Sequence, residues 1–382
     1  MKHYSTLYVG MDVHRDSFTL AHRDSFTLAH FALDMKQPTG IVRTDNDYRR
    51  IVAYVHHLRE KYGQETRIVC GYEAGCLGYT LYHQLTKMNL ECVILAPTTL
   101  PSPRGGKRVK TDGRDAANIA QCLAYGTYSP VHVPSAEDEQ VKEFIRMRND
   151  HCQMLKKLKQ QILSFCLRHG YQYSGTRSNW TQAHMKWLDA LQPEGLLGDT
   201  LEEYLTSFRY HQNKLERLDR RIEEISREET YREPVGKLCC LIGVKPLTAL
   251  SVVSEVSDMH RFPTAEKFAA YLGLVPGEHS SGNSVRRSSI TKAGNVHVRA
   301  LLTEAAQCYT RGKVGYKSSA LKKRQSGQSE TVIAYADRAN ERLRRRYYQM
   351  TLQNGKRGNV AKTAIARELA CFMWGLLTDH VV

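Results

Sequence analysis

Residues 7–13, Leu7-Tyr8-Val9-Gly10-Met11-Asp12-Val13, form an apolar, β-favouring run with one carboxylate inside it. Arg67–Tyr72 and Glu91–Ala96 have the same character. Between them, Asp47–Tyr62 carries Ile51, Val52, Val55 and Leu58 at helical spacing, and Gly78–Met88 and Gly113–Ala124 read as two shorter helices. Alternating strands and helices over residues 1 to about 130 predict an α/β unit whose sheet is at least partly parallel.

Residues 14–21, HRDSFTLA, recur unchanged as residues 22–29. The repeat is too short for a solenoid and reads as a tandem duplication in the hairpin after the first strand. An even insertion keeps the in/out alternation of a strand, so it is expected to be tolerated and functionally neutral.

From Pro134 to about Arg232 the pattern is helical. Leu201, Tyr204, Phe208, His211, Leu215, Leu218, Ile222 and Ile225 follow a three-four alternation, the signature of a coiled-coil seam. Leu155, Leu158, Ile162 and Phe165 supply a matching stripe on a helix starting near Ala136, so an antiparallel helical hairpin is expected. Beyond Val235, Lys237–Val244 leads into a helix at Leu247–Val256, reminiscent of a helix-hairpin-helix that offers backbone N–H groups to phosphate. A Gly/Ser/Arg-rich loop at Gly277–Asn295 and a basic helical end follow.

The chain of 382 residues has 55 Lys and Arg against 39 Asp and Glu, a formal charge of +16. Residues 286–382 hold 19 basic and 6 acidic side chains, so +13 of that excess is concentrated in the last quarter. Such a concentration points to a polyanionic partner, most often nucleic acid. The ten cysteines show no CxxC pair and no finger-like Cys/His spacing, which argues against zinc and for reduced, mostly buried thiols. No apolar run approaches a membrane span and the N-terminus lacks a signal pattern, so a cytoplasmic location is expected.

Four carboxylates stand out. Asp12 lies in the first strand, Glu73 ends another, and Asp112 and Asp115 begin a helix three residues apart, on one helical face. Magnesium and manganese prefer carboxylate oxygen, and such ions can clamp the attacking and leaving oxygens of a phosphodiester. Singly, each acid has a plainer use: Asp112 as an N-cap, Asp115 at a positive helix end, Glu73 as a cap, Asp12 in a turn. As an ordered set in one α/β unit they are far more specific.

That set resembles the RNase H/RuvC-like nucleases, and more closely the DEDD transposases of the IS110 insertion-sequence family, the bridge-RNA-guided recombinases. The carrying motifs are Gly10-Met11-Asp12-Val13, Tyr72-Glu73-Ala74-Gly75, Lys110-Thr111-Asp112-Gly113-Arg114-Asp115-Ala116, Tyr271–Pro276, Ser280-Ser281-Gly282 and Ile290–Asn295. The resemblance implies three parts: an α/β RuvC-like (RNase H-like) N-terminal domain at 1–132, an α-helical coiled-coil spacer at 133–234, and a mainly α C-terminal transposase domain at 235–382. It implies that Asp12, Glu73, Asp112 and Asp115 bind Mg2+ or Mn2+ and that Ser281 is the nucleophile. It also implies a noncoding guide (bridge) RNA, donor and target DNA, and a homo-oligomer, a dimer or a tetramer. The chain departs from the family in its duplicated hairpin and in Lys245, where a second glycine usually follows Gly243.

From composition alone, Gly277–Arg287 reads as a solvated or phosphate-contacting loop. Arg286, Arg287 and Lys292 are candidates for contacting nucleic acid and offsetting charge on a pentavalent phosphate. Two rivals remain. One is a RuvC-like metal nuclease (junction resolvase) that uses water. The other is a nonenzymatic nucleic-acid scaffold with degenerate acids.

Overall fold

In the computed structural model the run at 7–13 lies inside strand β1, Thr6–His14. All residues are described except 1–3, 15–24, 76–77, 98–99, 101–110, 176–177, 279–286 and 382. The chain divides into two compact units, Met1–Val133 and Pro134–Val382.

The first unit is a five-stranded sheet. Strands β2 (Ser25–Phe31), β3 (Thr39–Asp45), β4 (Arg67–Glu73) and β5 (Glu91–Leu95) join β1 in the order β3-β2-β1-β4-β5. β1 pairs antiparallel with β2 and parallel with β4, and β4 pairs parallel with β5. This mixed sheet is consistent with the RuvC-like expectation.

Strand parity divides the two faces. Leu7, Val9 and Met11 of β1 and Ile68, Cys70 and Tyr72 of β4 are buried against Ile51, Val55 and Leu58 of helix α1 (Tyr48–Tyr62) and Leu81 and Leu85 of α2 (Thr80–Lys87). Gly10 and Gly71, of opposite parity, meet helix α3 (Asp112–Tyr125) on the other face.

The duplication is resolved by its flanks. Asp12, Val13 and Met11 pair with Thr27, Phe26 and Leu28, so the second copy supplies β2. It continues into His30, Phe31 and Ala32, which are 3%, 1% and 2% exposed. The first copy continues into His22-Arg23-Asp24. That would set Arg and Asp where the core holds Phe and Ala, at a cost of several kcal/mol, about the penalty for burying unpaired charge.

His30 is buried and hydrogen-bonded to the hydroxyls of Tyr54, Tyr62 and Thr39 at 2.8, 3.2 and 3.2 Å. Burial, then Lys61 and His57, push its pKa down to about 4. The unfolded imidazole takes up a proton near pH 6.5, whereas the folded one resists until about pH 4. Its contribution is therefore intact above pH 6.5 and is lost as pH falls towards 4, at ~1.4 kcal/mol per pH unit. Urea unfolding at pH 7, 6 and 5 should show a steeper loss for the natural chain than for His30→Gln. Equal slopes would remove His30 from the account.

The second unit is helical. Helices α4 (Ala136–Arg168) and α6 (Leu196–Ile225) run antiparallel, with α5 (Gln182–Ala190) between them in sequence. Arg148 on α4 donates to both carboxylate oxygens of Asp219 on α6, while Phe165 meets Tyr204 nearer the other end. α4 starts where the sequence changes: the Ser135 hydroxyl accepts from the Asp138 N–H, and Glu137, Asp138 and Glu139 complement the helix dipole.

At the base of this pair, Val141, Ile145, Ile222 and Ile225 belong to the same core as the remaining helices. These are α7 (Glu229–Cys239), α8 (Pro246–Val256), α9 (Ala265–Tyr271), α10 (Val296–Ala306), α12 (Glu330–Tyr348) and α13 (Gly358–Leu377), while α11 (Ser319–Gln325) lies against α7 outside that core. Strands β6 (Pro276–Glu278) and β7 (Arg287–Ile290) form a small antiparallel hairpin. Among the described residues, no helix is long and apolar enough to cross a membrane, and nine cysteines are free thiols, six of them buried.

Candidate functional site

Asp12 shares the parity of Gly10, and Glu73 that of Gly71, so both acids sit on the sheet face that carries α3. β1 and β4 are parallel and in register up to Met11 and Tyr72, which makes Asp12 and Glu73 the next residues of neighbouring strands. α3 crosses this face: Gly113 faces Ile41 of β3, Ala116 and Ala120 meet Gly10 of β1, and Leu123 meets Gly71 of β4. A Cβ on Gly10 would lie 2.0 Å from the Ala116 carbonyl oxygen, so only glycine lets the helix approach so closely. Asp115 immediately precedes Ala116, and Asp112 lies one turn before it. The fold thus sets Asp12 and Glu73 on neighbouring strands of the sheet face that α3 covers, with Asp112 and Asp115 in that helix's first turn.

Thr111 is the N-cap of α3, which puts Asp112 at the first helical position and not at the cap. Both aspartates are in the first turn and half-buried, where the helix dipole favours negative charge. Glu73 is exposed, while Oδ2 of Asp12 is shielded from solvent. Asp12, Asp112 and Asp115 each interact with a neighbouring group.

An all-carboxylate donor set suits a hard divalent cation. The side chains are not gathered into a finished cage: among the described residues, no group of three or more His, Cys, Asp or Glu is close enough to hold a metal ion. The backbone positions and the donor chemistry therefore fit a divalent ion, and the side-chain rotamers do not yet enclose one.

Ser280, Ser281 and Arg286 lie outside the described residues, as does the rest of 279–286. Strands β6 and β7 flank this segment. Pro276 pairs with Ile290 and Glu278 with Arg287, so parts of the loop expected at 277–295 are paired strand. Lys292, exposed and left-handed (φ 55°), follows β7.

Two glycines lock the base of this hairpin. A Cβ on Gly294 would lie 1.8 Å from the Tyr271 carbonyl oxygen, and one on Gly273 would lie 2.3 Å from that of Ala293. The Tyr271–Pro276 and Ile290–Asn295 motifs are thus two sides of one contact. Arg299 donates to the Leu272 and Ala293 carbonyls at 2.8 and 3.0 Å and braces it.

Sequence reasoning missed the support beneath. Glu255 of α8 accepts from Arg146 of α4 at 2.9 and 3.1 Å and from the Asn295 amide at 2.9 Å. Burial alone would raise its pKa, but the hydrogen bonds from Arg146 and Asn295 prevail and lower it. Asn295 also caps α10 by accepting from the Val298 N–H. The single charged side chain in the run Leu247–Val256 was the available signal.

The turn between α7 and α8 is also pinned. Gly243 has φ 82°, and a Cβ there would lie 2.5 Å from the Ala305 carbonyl oxygen. The buried Asn340 accepts from the Ile242 N–H and donates to the Cys240 carbonyl.

A mixed α/β sheet with acids at its strand ends, in a chain with a strongly basic helical end, defines a protein that processes nucleic acid. Residues 237–322 match the profile described as the transposase IS116/IS110/IS902 family, and residues 9–170 match a DEDD transposase profile of IS110 type. A putative transposase of Sinorhizobium fredii, y4qE, is 36% identical over 81% of this chain and 75% of its own length. The transposase for insertion sequence element IS1533 of Leptospira borgpetersenii is 30% identical over 89% of this chain and 95% of its own length. A probable family 20 transposase of Pseudomonas aeruginosa is 26% identical over 70% of this chain and 72% of its own length. The chain belongs to the IS110 family of transposases, enzymes that cut DNA.

Proposed function

We propose that this transposase cuts and rejoins DNA by transesterification through a phosphoserine intermediate. The observation that best supports the reading is that Asp12 and Glu73 lie on neighbouring strands of the sheet face covered by α3, whose first turn carries Asp112 and Asp115. Asp12, Glu73, Asp112 and Asp115 would hold Mg2+ or Mn2+, which when bound polarises the scissile phosphate and stabilises the attacking and leaving oxygens. Ser281 supplies the nucleophile. Its Oγ bonds to phosphorus as the bond to the deoxyribose oxygen breaks; the hydroxyl proton is released and the departing oxygen takes one up. One phosphodiester is exchanged for another, so resealing by the reverse attack needs no outside energy.

Arg286, Arg287 and Lys292 would offset charge on the pentavalent phosphate. The three segments 1–132, 133–234 and 235–382 then serve as metal domain, helical spacer and serine domain. Their partners are donor and target DNA and a noncoding guide RNA, and the acting particle is a dimer or tetramer in the cytoplasm. With sequence choice carried by the RNA, the protein mainly grips backbones.

The test is to purify the full chain from cells that carry its flanking DNA and sequence the RNA that copurifies. The complex is then incubated with end-labelled flanking DNA and Mg2+. The expected product is cleaved DNA that stays attached to protein in detergent, is released by protease, and is lost on chelation. Cleavage without attachment would assign the attack to water, as in a RuvC-like nuclease. No cleavage with any RNA or divalent ion would sink the proposal.

A further inference from the structure

At the far end of the α4–α6 pair, a cavity of about 460 Å³ is lined by Trp180, Phe208, Lys159, Lys186, Gln182 and Gln212, among others. Its wall is an aromatic platform: Trp180 stacks on Phe208 with centroids 5.1 Å apart and planes 27° apart. The Lys159 ammonium lies over both rings, 5.3 and 5.8 Å from their centroids. Neither Lys159 nor Lys186 is in an ion pair among the described residues, and Asp189 at the rim is already neutralised by Arg209. The site is therefore cationic.

Trp180 holds a left-handed backbone, φ 70°, which bulky side chains rarely adopt. His184, buried and with its pKa lowered by that burial, holds this geometry by accepting the Trp180 N–H on Nδ1. Such local strain at a cavity wall is common where a side chain is presented to a ligand.

We infer that this cavity binds an unpaired nucleotide of a single nucleic-acid strand. The base would stack on Trp180, the amides of Gln182 and Gln212 would meet its edge, and Lys159 and Lys186 would take its flanking phosphates. The size suits one nucleotide, and the aromatic wall with ammonium neighbours matches both parts of that ligand. The inference rests on the reading that the chain handles nucleic acid, but not on the acids or on Ser281.

The test uses the full chain and no cleavage. Tryptophan emission is followed on titration with oligo(U), oligo(dT) and duplex DNA of about ten nucleotides. Both single strands should quench it and the duplex should not; the ratio of the two single-strand affinities tells whether RNA or exposed DNA is the natural source. Trp180→Ala should weaken single-strand binding about tenfold and abolish the quenching. If that variant misfolds, Lys159→Gln/Lys186→Gln decides, with the same direction of effect and unchanged duplex affinity. Affinity within about twofold of the natural chain in the folded variant, or equal quenching by duplex, would overturn the assignment.

Discussion

Asp12→Asn and Asp115→Asn are each expected to lower magnesium-dependent DNA cleavage by about 10²- to 10⁴-fold while leaving nucleic-acid affinity nearly unchanged. That range corresponds to the several kcal/mol of transition-state stabilisation that a metal site contributes, at about 1.4 kcal/mol per factor of ten. Asn keeps the shape of Asp and removes only its charge. At Asp115 the substitution also gives up a favourable helix-dipole interaction in the first turn of α3. That is worth about 0.3–1 kcal/mol, too little to unfold the unit or account for such a loss. Affinity draws instead on the +13 of residues 286–382. Asp34→Asn, an exposed acid of the same chemistry, serves as the control and should cleave normally. Normal cleavage by both Asp12→Asn and Asp115→Asn would end the four-acid assignment.

How far the sequence could be read depended on where each element faces. β1, β4 and β5 were legible because they run through the core as apolar stretches, and α4 because Ser135 and three acids mark its start. β3 was not, because Thr39–Asp45 is an edge strand with almost every residue exposed, so no apolar alternation betrays it. β6 and β7 were hidden by their brevity, three and four residues. The α4–α6 hairpin was foreseen from its stripe. In the structure Leu205 is buried, while Tyr204 and His211 of the expected seam are only half-buried.

The acids show the same division. Gly10 and Asp12, two residues apart, had to share a face of β1, and that follows from strand parity alone. That α3 covers this face, with Ala116 and Ala120 against Gly10, follows only from the packed sheet. The Glu255 network lies further still from local pattern. Arg146 and Glu255 are 109 positions apart and Asn295 a further 40 on, so neither helical nor strand periodicity links them. What the network does is functional in position: it fixes Asn295, the residue from which α10 departs just after the serine hairpin.

That hairpin carries the last expectation. Ser281→Ala should fold, bind nucleic acid as the natural chain does, and lose covalent attachment to DNA altogether, with recombination down by about 10⁴-fold or more. Alanine removes a single oxygen, but that oxygen is the atom bonded to phosphorus in the proposed intermediate. Folding should be spared because Pro276–Ile290 pairing, Gly294 against Tyr271 and the Arg299 clamp all lie outside residues 279–286. Ser280→Ala should be far milder, within about tenfold, since it leaves the reacting hydroxyl in place. The readout is labelled DNA retained with protein in detergent, run beside a melting curve for each variant. If Ser280→Ala is inactive and Ser281→Ala active, the nucleophile is Ser280. If both cleave without forming an adduct, water attacks, and the four acids carry the chemistry alone.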